Sequence, residues 1–250
     1  MAKGPRYRVA FRRRREGKTD YQQRRGLVLS GLPRMVIRGS LRSISAQLIK
    51  AEVGGDKVIV SVHSNELAKK YGWQGGGGNL PAAYLTGLLC GYKAAASGVK
   101  EAVLDLGLHA PTKSSRVFAA LKGALDAGLM IPHNENKLPD EKRVQGQHVS
   151  EYAKQLSSTP DSYQKRFAEQ LSRGLRPEEI TEHFSQVKQK ISSDLQKVEA
   201  PEKREEEGEK PPKEEVEKKK KPRRRVVAAE KPAKPRVKRQ KEPEKMEKKK

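Results

Sequence analysis

Cysteine occurs once in 250 residues, as Cys90, which excludes an internal disulfide framework or a site built on several thiolates and fits a reducing compartment. Aromatic residues are only 5% of the chain and none follows Glu199. No apolar run approaches the roughly 18–20 residues that span a bilayer. The charged N-terminus is not followed by the apolar stretch of a signal peptide, so the protein is expected to be made and kept in the cytosol. Acid is scarce at the start: residues 1–25 hold ten Lys or Arg against only Glu16 and Asp20.

What the chain has in excess is positive charge, 54 basic against 31 acidic residues for a net +23. The excess is uneven, at +8 over residues 1–25, +6 over 26–200 and +9 over 201–250. Strongly basic ends around a nearly ordinary middle indicate one globular body with two charged extensions, and a polyanion as partner. Tyr7, Phe11 and Tyr21 stand among the N-terminal cations. Cations release counterions condensed on phosphate, and aromatic rings stack on unpaired bases for about 1–3 kcal/mol each. Arg12 to Arg15 are consecutive and on a helix would point in all directions, which favours an extended arm surrounded by phosphates. A solvated basic tail is the plain alternative.

Residues 35–38, 43–51 and 57–63 read as strands. Ile44, Ala46 and Leu48 alternate with Ser43, Ser45 and Gln47, and Val58, Val60 and Val62 alternate with Ile59, Ser61 and His63. Gly54-Gly55-Asp56 supplies turn chemistry for an antiparallel hairpin. Asn79 and Pro81 open a helix to about residue 97 with an apolar face of Leu85, Leu88, Leu89 and Tyr92. Residues 101–106 form a buried strand, and the strand, helix, strand order implies a parallel pair. A second helix covers 116–128. Beyond residue 140 the pattern is helical, with entries at Thr159-Pro160 and Arg176-Pro177. The narrow stripes Tyr163, Phe167, Leu171 and Ile180, Phe184, Val187, Ile191, Leu195 dock on the body or on a partner. The fold class is α/β, a small mixed sheet of antiparallel hairpins plus a parallel βαβ unit with packed helices, a helical C-terminal extension and disordered basic termini. The segments are a basic arm (1–25), an α/β body (26–140), a helical extension (141–198) and a Lys/Glu/Pro-rich tail (199–250). The tail cannot bury enough apolar surface to offset its chain entropy; it solubilises, or contacts phosphate through Arg223 to Arg225 and Lys231 to Lys241.

Several groups resemble catalytic or metal sites. Gly17-Lys18-Thr19 looks like the end of a phosphate-binding loop, but Arg12 stands where that loop needs glycine and no strand precedes it. Gly75 to Gly78 precede a helix and read as a flexible loop, or as a backbone cradle for an anion. His63, His109, His133, His148 and His183 lack metal-ligand spacing and read as structural. Cys90, among Leu88, Leu89 and Tyr92, reads as a small buried hydrophobe. Asp105 invites an acid/base role, yet without a partner carboxylate at a readable spacing it reads as a hydrogen-bonded buried aspartate.

The strings GKTDY (17–21), PAAYLTGLLCG (81–91), EAVLDLGLH (101–109), RVFAALKGALDAGL (116–129), IPH (131–133) and GQHVSEYA (146–153) closely resemble the archaeal form of the universal family of large-subunit ribosomal protein eighteen. The similarity runs from about residue 5 to 195. It implies a non-catalytic protein of the large ribosomal subunit, without cofactor, metal, membrane or small-molecule substrate, that attaches 5S ribosomal RNA to the central protuberance. Large-subunit ribosomal RNA and neighbouring ribosomal proteins are the further partners it implies. The matching RNA-binding positions are Arg12, Arg13, Arg14, Arg15, Lys18, Thr19, Tyr21, Arg24 and Arg25 in the arm, and Arg34, Arg38 and Arg42 around the first strand. Trp73, Asn79, Lys113, Ser114, Ser115 and Arg116 are carried over from loop motifs. Arginine offers a fork, lysine a point charge, and Tyr21 or Trp73 a stacking face. Ser and Thr at 112–115 bind a phosphate ahead of a helix or simply cap it. The long tail departs from the family pattern. Two other readings are a nucleotide-using enzyme built on Asp105 and a histidine, and an assembly factor that leaves the finished ribosome.

Overall fold

A computed structural model describes residues 4–196, so the expectations for the tail lie outside the described residues. The chain opens with a helical turn, α1 (Arg12–Arg15), and a helix, α2 (Tyr21–Leu29). Strands β1 (Arg34–Gly39), β2 (Ile44–Glu52) and β3 (Gly55–His63) follow, then helices α3 (Ser64–Tyr71) and α4 (Leu80–Ala96). A short strand, β4 (Val103–Asp105), leads to α5 (Arg116–Asp126). Then come α6 (Glu141–Gln145), α7 (Gln147–Leu156), α8 (Pro160–Ser172) and α9 (Ile180–Gln196), with 3₁₀ turns at Glu135–Lys137 and Pro177–Glu179.

The sheet order is β3-β2-β1-β4, antiparallel except for the parallel β1–β4 pair, where Val36 lies opposite Asp105. This is the mixed sheet that the alternation and the crossover predict. The hairpin register differs in one respect. Gly55 and Asp56 belong to β3, with Asp56 opposite Ala51, so the turn is tighter than the Gly54-Gly55-Asp56 reading. That shift places the Asp56 carboxylate in the sheet.

Met35, Ile37, Ala46, Leu48, Val60 and Val62 line the covered face of the sheet, with α4 packed against it. Asn79 caps α4 by accepting from the Ala82 N–H at 2.9 Å. The helix is buried from Pro81 to Gly91, on nearly all sides and not on one apolar face as expected. The reason is that α5 closes its other flank. A Cβ on Gly87 would strike the Ala120 carbonyl, and one on Gly123 would strike the Tyr84 carbonyl, so the two backbones touch. In α9, Ile180, Phe184, Val187 and Ile191 are buried in the same core, which places these four stripe residues on the protein itself, while the side chain of Leu195 lies outside the described residues. Helix α8 is looser. Phe167 alone is buried in it, with ring centroids 6.2 Å from Tyr152 and 5.3 Å from Tyr163.

The arm is not extended. The Arg15 N–H donates to Phe11 O at 3.0 Å and the Lys18 N–H to Arg13 O at 2.9 Å, closing a helical turn. Glu16 relieves the like-charge repulsion, with Lys18 at 3.0 Å and Arg12 at 3.7 Å. Asp20 then caps α2, accepting from the Gln22 N–H at 2.9 Å.

Candidate nucleic-acid interface

Alternation along β1 sends Met35 and Ile37 into the core and Arg34, Val36 and Arg38 to the opposite face. This open face carries a continuous ionic chain from the arm to the far edge of the sheet. Arg24 of α2 forks onto Asp56 at 2.7 and 2.8 Å. Asp56 also accepts from Arg34 Nη2 at 2.9 Å, and Arg34 Nη1 donates to Asp105 at 3.1 Å. Asp105 accepts further from the Gly107 N–H at 2.8 Å and from Arg38 Nη2 at 3.4 Å. The Arg24 hydrogen bond holds the Asp56 carboxyl below the usual carboxylate range against the opposing effect of burial, and the same bond raises Arg24.

The eighteen expected contact residues fall into separate groups. Arg14, Arg15, Arg25, Arg42 and Lys113 are exposed, and none makes a salt bridge among the described residues. Arg12 and Lys18 flank Glu16, and Arg13 Nε donates to the Thr19 hydroxyl at 2.8 Å. Tyr21 is half-buried against Phe11, ring centroids 5.0 Å apart. Arg24 and Arg34 are tied inward, and Arg34 is only 3% exposed, so it serves the sheet and does not reach solvent. Arg38 is the exception on this face, ordered yet 43% exposed.

Most of the loop positions are engaged within the protein. Trp73, expected to stack on a base, is 3% exposed; its indole N–H donates to Gly76 O at 2.8 Å and its ring stacks on His183 at 5.2 Å. Asn79 uses its oxygen as a cap and its amide N–H₂ on Gly75 O. Arg116 donates to Ser40 O at 2.7 Å and Gly78 O at 3.0 Å, latching two loops. Ser114 has a left-handed backbone, φ 58°, and its N–H donates to Lys137 O. Ser115 occupies the N-cap of α5, but its hydroxyl makes no capping bond. Gly75 to Gly78 are a packed loop. A Cβ on Gly77 would lie 2.8 Å from Arg42 O, and one on Gly78 would strike Leu41 O.

Asp105 is the hydrogen-bonded buried aspartate expected, saturated by two arginines and a backbone N–H. Cys90 is fully buried, and burial pushes its thiol up to about 12. His63 Nδ1 caps α3 by accepting from the Asn65 N–H. No group of three or more His, Cys, Asp or Glu with metal-holding geometry occurs among the described residues. Asp56, Gln47 and Gly107 are residues of this open face that sequence reasoning missed. Asp56 passed for a turn residue, and the other two carry no local signal.

This fold and face define a small basic α/β protein with a chain of paired arginines and aspartates along the open face of a mixed sheet. The chain belongs to a known family of that kind: the family of ribosomal large subunit proteins 60S L5 and 50S L18 matches residues 5–100 and 93–134. Among its relatives is the large ribosomal subunit protein uL18 of Caldivirga maquilingensis, 53% identical over 201 residues, which cover 80% of this chain and 97% of that protein.

Proposed function

We propose that the protein binds 5S ribosomal RNA within the large subunit and joins it to the central protuberance, acting as a structural component without turnover. The observation that carries this reading is the arm. Its exposed cations Arg14 and Arg15 precede, and exposed Arg25 lies on, the helix that Arg24 clamps to the open sheet face, so free charge is presented from a fixed base. Phosphate contacts of this kind give affinity and register, and the face behind them supplies selectivity. Large-subunit ribosomal RNA and adjacent ribosomal proteins complete the surroundings in this reading, with no cofactor required.

Titration of the full chain against folded 5S ribosomal RNA and a scrambled RNA of equal length, at several salt concentrations, tests it. Preference for the folded RNA that persists as salt weakens scrambled binding is the expected result. Equal affinities that fall together would reduce the protein to a general polyanion binder.

A further inference from the structure

Between the loop joining α1 to α2 and the open face of the sheet lies a groove of about 240 Å³. Its rim carries Arg13, Lys18 and Thr19, while Val36 and Ile49 give it apolar ground. Asp56 and Asp105 also line it, each already held by arginines. These two carboxylates oppose entry of a phosphate, so an anionic group is kept at the rim with Lys18 and Arg13. What fits further in is flat and neutral with a polar edge.

Arg38 forms a wall of unusual order for an exposed arginine. Its Nη1 donates to Ile37 O at 2.9 Å and Asp105 O at 3.1 Å. Its guanidinium lies on Gly107, where φ is +62° and a Cβ would stand 2.8 Å from Arg38 Cζ. A free arginine loses rotamer entropy when ordered; here the fold has already fixed it, leaving a planar stacking surface. Across the groove Gln47 Nε2 donates to the Ser61 hydroxyl at 3.0 Å, and its carbonyl oxygen has no partner among the described residues. Thr19 accepts from Arg13 and keeps its own hydroxyl proton to donate. The space is smaller than the roughly 300 Å³ at which pockets for drug-sized ligands begin, so it admits one base and its sugar and no run of strand.

We propose that this groove takes a single splayed nucleotide of the bound RNA. The base lies between the Arg38 plane and the Val36–Ile49 floor with its edge read by Gln47, and its phosphate stays at the rim on Lys18 and Arg13. Specific RNA recognition works on unstacked bases of this kind, since an A-form duplex hides base edges from side chains. The proposal rests on the RNA-binding reading above and adds to it the place where one nucleotide is read.

Two full-length variants test it against folded 5S ribosomal RNA. Ile49→Trp fills the groove without changing charge, and Gln47→Ala removes the edge acceptor without adding bulk. Neither residue belongs to the ionic chain, and the thermal midpoint of each variant reports whether the fold is intact. Ile49→Trp is expected to weaken binding by about tenfold or more, and Gln47→Ala by several-fold. Chemical probing of the RNA is expected to show one or two unpaired nucleotides protected by the wild-type protein and reactive again with Ile49→Trp. Wild-type affinity and an unchanged protection pattern for both variants overturn the groove while leaving RNA binding in place. A wild-type protein that fails to prefer folded 5S RNA over scrambled RNA overturns the RNA reading itself, and the groove falls with it.

Discussion

Arg34 carries two aspartates at once from a position closed to water, and its Nε is buried without a partner. Removing it leaves Asp56 with Arg24 alone and Asp105 with the Gly107 N–H and the half-exposed Arg38 at 3.4 Å, so Arg34→Ala is expected to cost about 3–5 kcal/mol in urea unfolding. Arg34→Lys recovers little, because a point charge cannot span two carboxylates as a fork does. Asp56 and His183 set two pH windows of opposite chemical origin. The Asp56 carboxyl is depressed in the folded state, so its contribution is complete above the ordinary carboxylate range, about 3.9, and is lost as pH falls through the folded value. The clamp between arm and sheet therefore survives at pH 5, and a carboxyl NMR titration of Asp56 should show a midpoint below that of a free aspartate. His183 is lowered mainly by burial, and next by Lys190, as it stacks on Trp73 and accepts the Gln74 N–H at 3.1 Å. The folded state thus binds its proton less readily than the unfolded chain. Stability declines as pH drops below the unfolded value of 6.5, and the decline ends only past the lowered folded value. In His183→Gln that slope between pH 7 and 5 should be shallower in a series of thermal melts, the remainder coming from His148, which burial also lowers.

Two elements are constrained by their neighbours in contrary ways. In the β2–β3 hairpin, Lys50 lies directly opposite Lys57, and neither has an acidic partner among the described residues. Like charges in register oppose pairing, so Lys57→Glu is expected to raise stability by about 0.2–1 kcal/mol in denaturant unfolding. The α4–α5 contact has no slack. Gly87→Ala forces the two backbones apart and should lose about 1–3 kcal/mol by the same measurement, with Gly123→Ala similar. The strands, the Asn79 cap and the α9 stripe were legible in the sequence because each has a local period or a local partner. Helix α3 was not, since its buried apolar pair, Leu67 and Tyr71, is too short a pattern to register. The burial of α4 on every side had a signal in Gly87 and Gly91, four residues apart on one helix face. At the site, composition revealed the cations but not which are spent on the fold. The partners of Arg24 and of Arg34 lie 32, 22 and 71 positions away, beyond any local pattern. Trp73 likewise passed for an exposed ring because His183, on which it stacks, is remote in the chain.

Across the whole molecule, the net +23 divides into charge that attracts and charge that positions. The first 25 and last 50 residues carry +8 and +9, whereas the open sheet face pairs its arginines with aspartates. Each phosphate neutralised adds about 0.7–0.9 to the slope of log affinity against log salt, whatever the sequence of the nucleic acid. A chain ending at residue 198, which keeps the whole described core, should therefore bind scrambled RNA more weakly and with a shallower slope, while its preference for folded 5S RNA is retained or increased. Within the arm the same division separates neighbours. Arg25→Ala should lower the slope by about one unit or less and leave the thermal midpoint unchanged, because Arg25 is exposed and outside the ionic chain. Arg24→Ala should instead lower the midpoint and the preference for folded RNA together, because it frees α2 from Asp56. Should the two substitutions behave alike in both measurements, the clamp has no part in recognition and the arm acts through charge alone.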